Sequence, residues 1–275
     1  MAHGFPDRFK LAAIDVDGTL VGSNLGVSDV NCSAVARLQA AGLEVVLASG
    51  RHFETLRPFA DIVPGIRWLV AAQGGDVANL DRSVVLARVF LDDAVARRIV
   101  ALAHRLGFFV ALYTEEGIFV DNDATVTGFY TRLAGRAPRK TSADWVEQRL
   151  LKIVWIGEPE NIAALAGRPE LVSIRTEQVR THERLFEFSP PGVSKASGLV
   201  ALAKHLGVRG DQTVAFGDAE NDLPMFAWSG LSVAMAHGWP AALACATVVA
   251  PPGPVETALA RAVDFLFERD WPSQV

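Results

Sequence analysis

Apolar and polar positions along the chain fall into two textures, one at both ends and another between them. Near the start, LAAIDVDGTL (Leu11 to Leu20) has five apolar residues among its first six. It predicts a short strand buried on both faces, as in the middle of a parallel sheet, with Asp15 and Asp17 at its carboxyl end. The periodic segment VNCSAVARLQAA follows, with Ser28 placed as an N-cap and Gly42 closing it, and predicts a helix. Leu43 to Ala48 predicts a second buried strand ending at Ser49-Gly50-Arg51, and Phe53 to Ala60 a short helix limited by Pro58 and Pro64. Trp68 to Ala72 predicts a third strand that runs into Gln73-Gly74-Gly75. Strand, helix, strand, helix, strand opens a doubly wound α/β core.

From Asp76 to Ser189 the apolar runs shorten and alternate. VVLARV, FFVALY, GIFVDN, LLKIVWI, LVSIRT and LFEFS predict strands, with helices at Asp92 to Leu106 and Asn161 to Ala166, so this stretch reads as an α+β insert with a largely antiparallel sheet. Arg132 to Lys140 is basic without an apolar period and reads as a solvated loop, with a phosphate- or substrate-facing loop as the sharper alternative. From Pro190 the first texture returns. Ser194 caps a helix over Lys195 to Leu206, QTVAF leads as a strand into GDAENDLPM, and LSVAM and TVV are further strands, with helices near Pro240 to Cys245 and Val255 to Phe267. The expected organisation is a discontinuous core, residues 1–75 and 190–275, carrying residues 76–189 as a lid.

Composition narrows the partners. The chain has 275 residues, 50% apolar and 21% charged, with a net charge of -5, and lacks the basic excess of a nucleic-acid binder. No apolar run approaches the roughly 18 residues of a membrane span, and MAHGFPDRFK has no apolar signal core, so a cytoplasmic protein without a membrane or nucleic-acid partner is expected. Cys32 and Cys245 are too few for a disulfide framework or thiolate zinc site and are expected to be small buried residues in a reducing compartment.

Four polar clusters stand at the ends or beginnings of the predicted core elements: Asp15 with Asp17, Ser49-Gly50-Arg51, Lys195, and Gly217-Asp218 with Asn221-Asp222. Each alone reads equally as a cap or a solvated charge. In a parallel sheet the strand ends among them converge on one edge, where ligands bind. Their residue types suit phosphoryl transfer. Asp15 can attack phosphorus to give an aspartyl-phosphate, and Asp17, two residues on and on the same side of the strand, can act as general acid and then base. An anionic nucleophile meeting an anionic phosphate needs a screening cation, and hard oxygen ligands completed by Asp218 call for Mg2+. Ser49 with neighbouring N–H groups can hold a phosphate oxygen, and Lys195 can neutralise charge on the transferring group.

With these residues in view the chain resembles the haloacid dehalogenase-like (HAD) superfamily. DVDGTL matches its first motif, SGR the second, GVSKASGL around Lys195 the third and GDAENDLPM the fourth. The size and place of the insert resemble the Cof-type branch with its α/β cap on a Rossmann-like core. The resemblance implies a magnesium-dependent phosphatase of a small phosphorylated metabolite, a sugar phosphate foremost. It makes Asp15 the nucleophile and a metal ligand, and Asp17 the acid/base whose carbonyl also binds metal. Asp218 becomes the third protein ligand, with Asp222 in support of the metal. Ser49, Gly50, Arg51, Lys195 and Asn221 become the phosphate and substrate contacts. Ser49 replaces the threonine of many relatives and keeps the hydroxyl, whereas Gln73 stands where an asparagine is frequent. A phosphomutase or other phosphotransferase, and a non-catalytic metabolite-binding protein, are the alternatives on the same scaffold. Tyr113, Arg180 and His182 are candidate lid contacts, and the assembly is expected to be a monomer or homodimer.

Overall fold

The computed structural model describes residues 5–140, 148–269 and 271. The chain opens with β1 (Leu11–Ile14), α1 (Asp29–Ala40), β2 (Glu44–Ala48), α2 (Phe53–Ile62), β3 (Trp68–Ala71), β4 (Asp76–Asn79) and β5 (Val85–Arg88). The insert contributes α3 (Asp93–Arg105), β6 (Phe109–Thr114), β7 (Ile118–Val120), α4 (Ala124–Ala134), β8 (Arg139–Lys140) and β9 (Leu150–Ile156). It continues with α5 (Pro159–Ala163), α6 (Pro169–Val172), β10 (Glu177–His182) and β11 (Leu185–Ser189). The chain closes with α7 (Lys195–Leu206), β12 (Thr213–Gly217), α8 (Leu223–Trp228), β13 (Leu231–Ala234), α9 (Pro240–Cys245), β14 (Val248–Val249) and α10 (Ala258–Glu268).

Among the described residues these strands form two sheets. The first has the order β14-β13-β12-β1-β2-β3-β4-β5 and is parallel from β14 to β3, so the fold is α/β. Side-chain alternation in β1 divides the core between the two faces. Ala12 and Ile14 pack into the layer with α1 and α10, while Leu11 and Ala13 pack into the layer with α7 and α8. Helix α7 lies close to the sheet because Gly198 has no side chain: a Cβ there would come within 2.6 Å of Val70 Cγ1 and 2.8 Å of Gly74 Cα. That close approach brings Lys195, at the start of α7, to the carboxyl edge of β1. The second sheet, β10-β11-β9-β6-β7-β8, is antiparallel except between β7 and β8.

Several elements differ from the expectation. The run VVLARV, expected as a strand of the insert, is β5 of the first sheet, because a strand that the pattern did not announce, β4, folds back along the whole of β3, pairing Ala71 with Asp76 and Trp68 with Asn79, and β5 pairs with β4. LVSIRT is no strand: Pro169 starts the short helix α6, and the strand begins at Glu177. Strand β10 is a polar sheet edge, EQVRTH, with no apolar alternation to announce it. Helix α4 covers ATVTGFYTRLA, a β-branched and glycine-containing stretch of weak helix propensity, held by the Asp123 cap and a left-handed Gly135. The basic segment therefore begins in a helix and ends in a strand, with a loop between. Helix α2 runs past Pro58 to Ile62, since its apolar face of Phe53, Leu56 and Phe59 outweighs the one lost hydrogen bond. Cys32 is only half-buried and Cys245 is exposed.

The elements meet at Asn31, whose amide is fully buried in α1. Its Nδ2 donates to the carbonyls of Leu20 (2.8 Å) and Glu256 (3.1 Å), and its Oδ1 accepts from the Ala260 amide at 3.0 Å. One side chain thus ties the loop after β1 to α10. Asn31→Ala strands these buried groups and is expected to lower stability by about 2–3 kcal/mol. Urea unfolding followed by circular dichroism checks this, with the midpoint falling at unchanged slope.

Candidate active site

The strand ends do converge. Asp15 follows β1 directly, and its amide donates to the Phe216 carbonyl of β12 at 2.9 Å, so pairing continues to the nucleophile candidate itself. Gly18 then turns the chain at φ 89°, and a Cβ there would sit 2.4 Å from Asp218 Oδ2. Only glycine allows both the left-handed turn and that approach. Thr19 Oγ1 donates to Asp218 Oδ1 at 3.1 Å, which fixes the β12 carboxylate against the β1 loop.

Lys195 is fully buried between Asp15 and Asp222, its Nζ donating to Oδ1 of each at 2.5 Å. The other Asp222 oxygen accepts from the amides of Asp218 (2.8 Å) and Ala219 (3.0 Å). Burial pushes the Asp15 carboxyl well above its ordinary range; Lys195 opposes this, and the neighbouring Asp222, Asp218 and Asp17 reinforce it. Burial, then Asp222, push Asp218 up to about 7. Burial works against the Lys195 ammonium, but the two carboxylates outweigh it and hold it protonated.

Ligand oxygens of Asp15, Asp218 and Asp222 all lie within 4.8 Å of one another. Three carboxyl groups face one ammonium, and the burial and crowding that raise Asp15 and Asp218 are what a divalent cation offsets; the set of hard oxygen donors suits one. The hydrogen bonds just described use one oxygen each of Asp15 and Asp218 and both of Asp222. Asp15 and Asp218 therefore retain the donor oxygens, while Asp222 braces the lysine and the loop.

A cavity of about 130 Å³ opens beside Asp15, walled by Asp17, Ser49, Gly50 and Arg51 from the first sheet and roofed by the second. Ser49 Oγ accepts from the Arg51 amide at 3.2 Å. Arg51 is not free in the cavity: its guanidinium grips both Asp17 oxygens at 2.7 and 2.6 Å and donates to the carbonyls of Leu133 and Ala134 at the end of α4. Asn221 also lines the wall, its Nδ2 donating to Gln73 Oε1 at 3.2 Å. All the predicted site residues are thus gathered in one place, with Lys195, Asp218 and Asp222 on the protein side of Asp15.

Tyr113 and His182 line the roof as expected of lid contacts, whereas Arg180 lies over the Trp239 ring at 5.1 Å. Sequence reasoning passed over Tyr130, whose hydroxyl bonds to that of Tyr113, and over Thr181, Glu187 and Lys152. A signal existed for two of them. Lys152 and Glu187 are single charges inside the apolar runs LLKIVWI and LFEFS, where nothing but a partner permits burial.

Comparisons with known proteins show the family. A protein of Streptococcus pyogenes serotype M6 that carries a phosphatase designation is 29% identical over 248 residues, covering 84% of this chain and 88% of its own. The HMP-PP phosphatase of Citrobacter koseri is 25% identical over 245 residues, covering 86% and 87%. The solved structure of a HAD/COF-like hydrolase from Plasmodium vivax superposes with a TM-score of 0.85 at 21% identity, covering 95% of this chain and 96% of the other. Residues 12–261 match the family described as haloacid dehalogenase-like hydrolase, and this chain belongs to that family as an enzyme of its Cof-type phosphatase branch.

Proposed function

We propose that the protein is a magnesium-dependent phosphatase that hydrolyses a small phosphorylated metabolite, a sugar phosphate foremost, through an aspartyl-phosphate on Asp15. The observation that carries this reading is the position of Asp15, which faces the cavity with Lys195 bonded behind it and Asp17 on the adjoining wall. An Asp15 oxygen attacks phosphorus as the ester P–O bond breaks, and Asp17 delivers a proton to the departing alkoxide. Asp17 then takes a proton from water as the water oxygen attacks the phosphoryl group, which leaves as inorganic phosphate and restores Asp15. Ser49 Oγ–H and the amides beside it hold the non-bridging oxygens.

Asp15 and Asp218, with the Asp17 carbonyl, would hold the magnesium ion, which supplies positive charge against the phosphoryl oxygens. Lys195 keeps Asp15 oriented, and Asp222 keeps Lys195 in place. A carboxylate gripped at both oxygens is a poor proton donor. The Arg51 fork therefore turns from Asp17 to the arriving phosphoryl group, a competing acceptor of the same geometry. In this reading the second sheet and its helices are the lid over the leaving group, and the core comprises residues 1–75 and 190–275 with the β4–β5 hairpin added. The roof offers hydroxyls from Tyr113, Tyr130 and Thr181, groups that hydrogen-bond a polyhydroxylated leaving group.

Asp15→Asn is expected to abolish phosphate release from a panel of sugar phosphates, nucleotides and phosphorylated cofactors; retained turnover would remove the nucleophile. Chelation of divalent ions is expected to stop release and added magnesium to restore it. Asp218→Asn should raise the magnesium concentration for half-maximal rate by about tenfold or more, measured by titrating magnesium at saturating substrate.

A further inference from the structure

Lys152 lies in the middle of β9, in the second sheet, and is fully buried. A lysine removed from water needs partners that repay its desolvation. Three are present. Its Nζ donates to Glu187 Oε2 at 2.7 Å and to the carbonyl of Gly50 at 2.7 Å, and it stands 4.3 Å from the centre of the Tyr113 ring. Glu187 and Tyr113 belong to the same sheet as Lys152, but Gly50 belongs to the loop after β2 in the other one.

The bond to Gly50 has a consequence for the peptide that follows. The carbonyl of residue 50 and the amide of residue 51 share one rigid plane. Lys152 holds the carbonyl end of that plane and Ser49 Oγ accepts from the Arg51 amide at the other, so its rotation is fixed from both sides. Glu187 extends the hold. Its Oε2 also accepts from Gln73 Nε2 at 2.9 Å, and Gln73 Oε1 accepts from Asn221. Gln73 itself sits at φ 59° with its amide on the Ser49 carbonyl at 3.1 Å. A single buried ion pair on the insert thus reaches the loops after β2, β3 and β12.

We propose that Lys152 is a positioning residue for the reaction: seated on Glu187, its ammonium fixes the Gly50–Arg51 peptide, whose amide in turn orients the Ser49 hydroxyl that receives the transferring phosphoryl group. This rests on the reading of residues 49–51 as the phosphate loop. It explains why a charge is kept in an apolar strand, and it makes the catalytic loop complete only while the insert lies over it.

The test compares the parent protein with Lys152→Met/Glu187→Gln, which removes the ammonium, keeps the pair neutral and leaves an acceptor for Gln73. Three readouts are taken: thermal midpoint, kcat and KM for the best phosphomonoester, and affinity for orthovanadate, which adopts the five-coordinate geometry of phosphoryl transfer. The expected result is a midpoint within a few degrees, with kcat and vanadate affinity each down by about tenfold to a hundredfold and KM changed by less than about threefold. Lys152→Gln is a second variant with the same expected outcome if the double variant fails to fold. A folded variant with unchanged kcat and vanadate affinity overturns the proposal. A parent that releases no phosphate from any ester yet binds vanadate more tightly than the variant overturns the proposed reaction and leaves the positioning role standing. A parent that binds no vanadate overturns both.

Discussion

A fully buried ammonium between two buried carboxylates is the arrangement on which the site depends. Lys195 cannot leave Asp15 without exposing an uncompensated charge to a low-dielectric interior, and the same holds for Asp222 on its other side. Three segments that are far apart in sequence, the end of β1, the start of α7 and the loop after β12, are thereby held to one geometry. Glycine makes this approach possible at both ends: Gly18 lets the β1 loop meet Asp218, and Gly198 lets α7 settle onto the sheet.

Much of this was legible in the residues. Buried parallel strands read as continuous apolar runs, and each ends at a polar cluster, so β1, β2 and β12 and the chemistry beyond them could be placed before any coordinates were known. Helix α7 was equally plain, because Ser194 caps it, and in the fold a left-handed Gly207 ends it. The insert was harder to read, for physical reasons. Its edge strand β10 is polar and half-buried with no apolar period, and α4 is stabilised by Tyr130 and Val126 against a neighbouring sheet rather than by its own propensities. The β4–β5 hairpin is locally indistinguishable from an antiparallel hairpin of the insert; only its pairing with β3 assigns it to the larger sheet.

The site residues divide in the same way. Asp15, Asp17, Asp218 and Lys195 stand where element boundaries put them, and periodicity alone finds those boundaries. Arg51 was found, but its partners were not: a bidentate grip on Asp17 and two helix-end carbonyls is a tertiary arrangement that no spacing encodes. Gln73 likewise stood out only as an unusual choice. In the fold its longer side chain bridges Glu187 of one sheet and Asn221 beside the other.

The membership of β4 and β5 in the larger sheet also bears on how the insert is attached. The chain leaves from the edge strand β5, where Val89 is still bonded to Gly75, and re-enters through the short segment between β11 and α7. Both crossings are only a few residues long, and Leu91 on the outgoing path is bonded to Leu150 of the insert. A body held at two closely spaced points on a rigid frame keeps one easy rotation, about the line through those points, and loses the others. On the lid reading proposed above, the insert would turn like a door on a two-pin hinge, with the Gly50 carbonyl as the strike plate that meets Lys152.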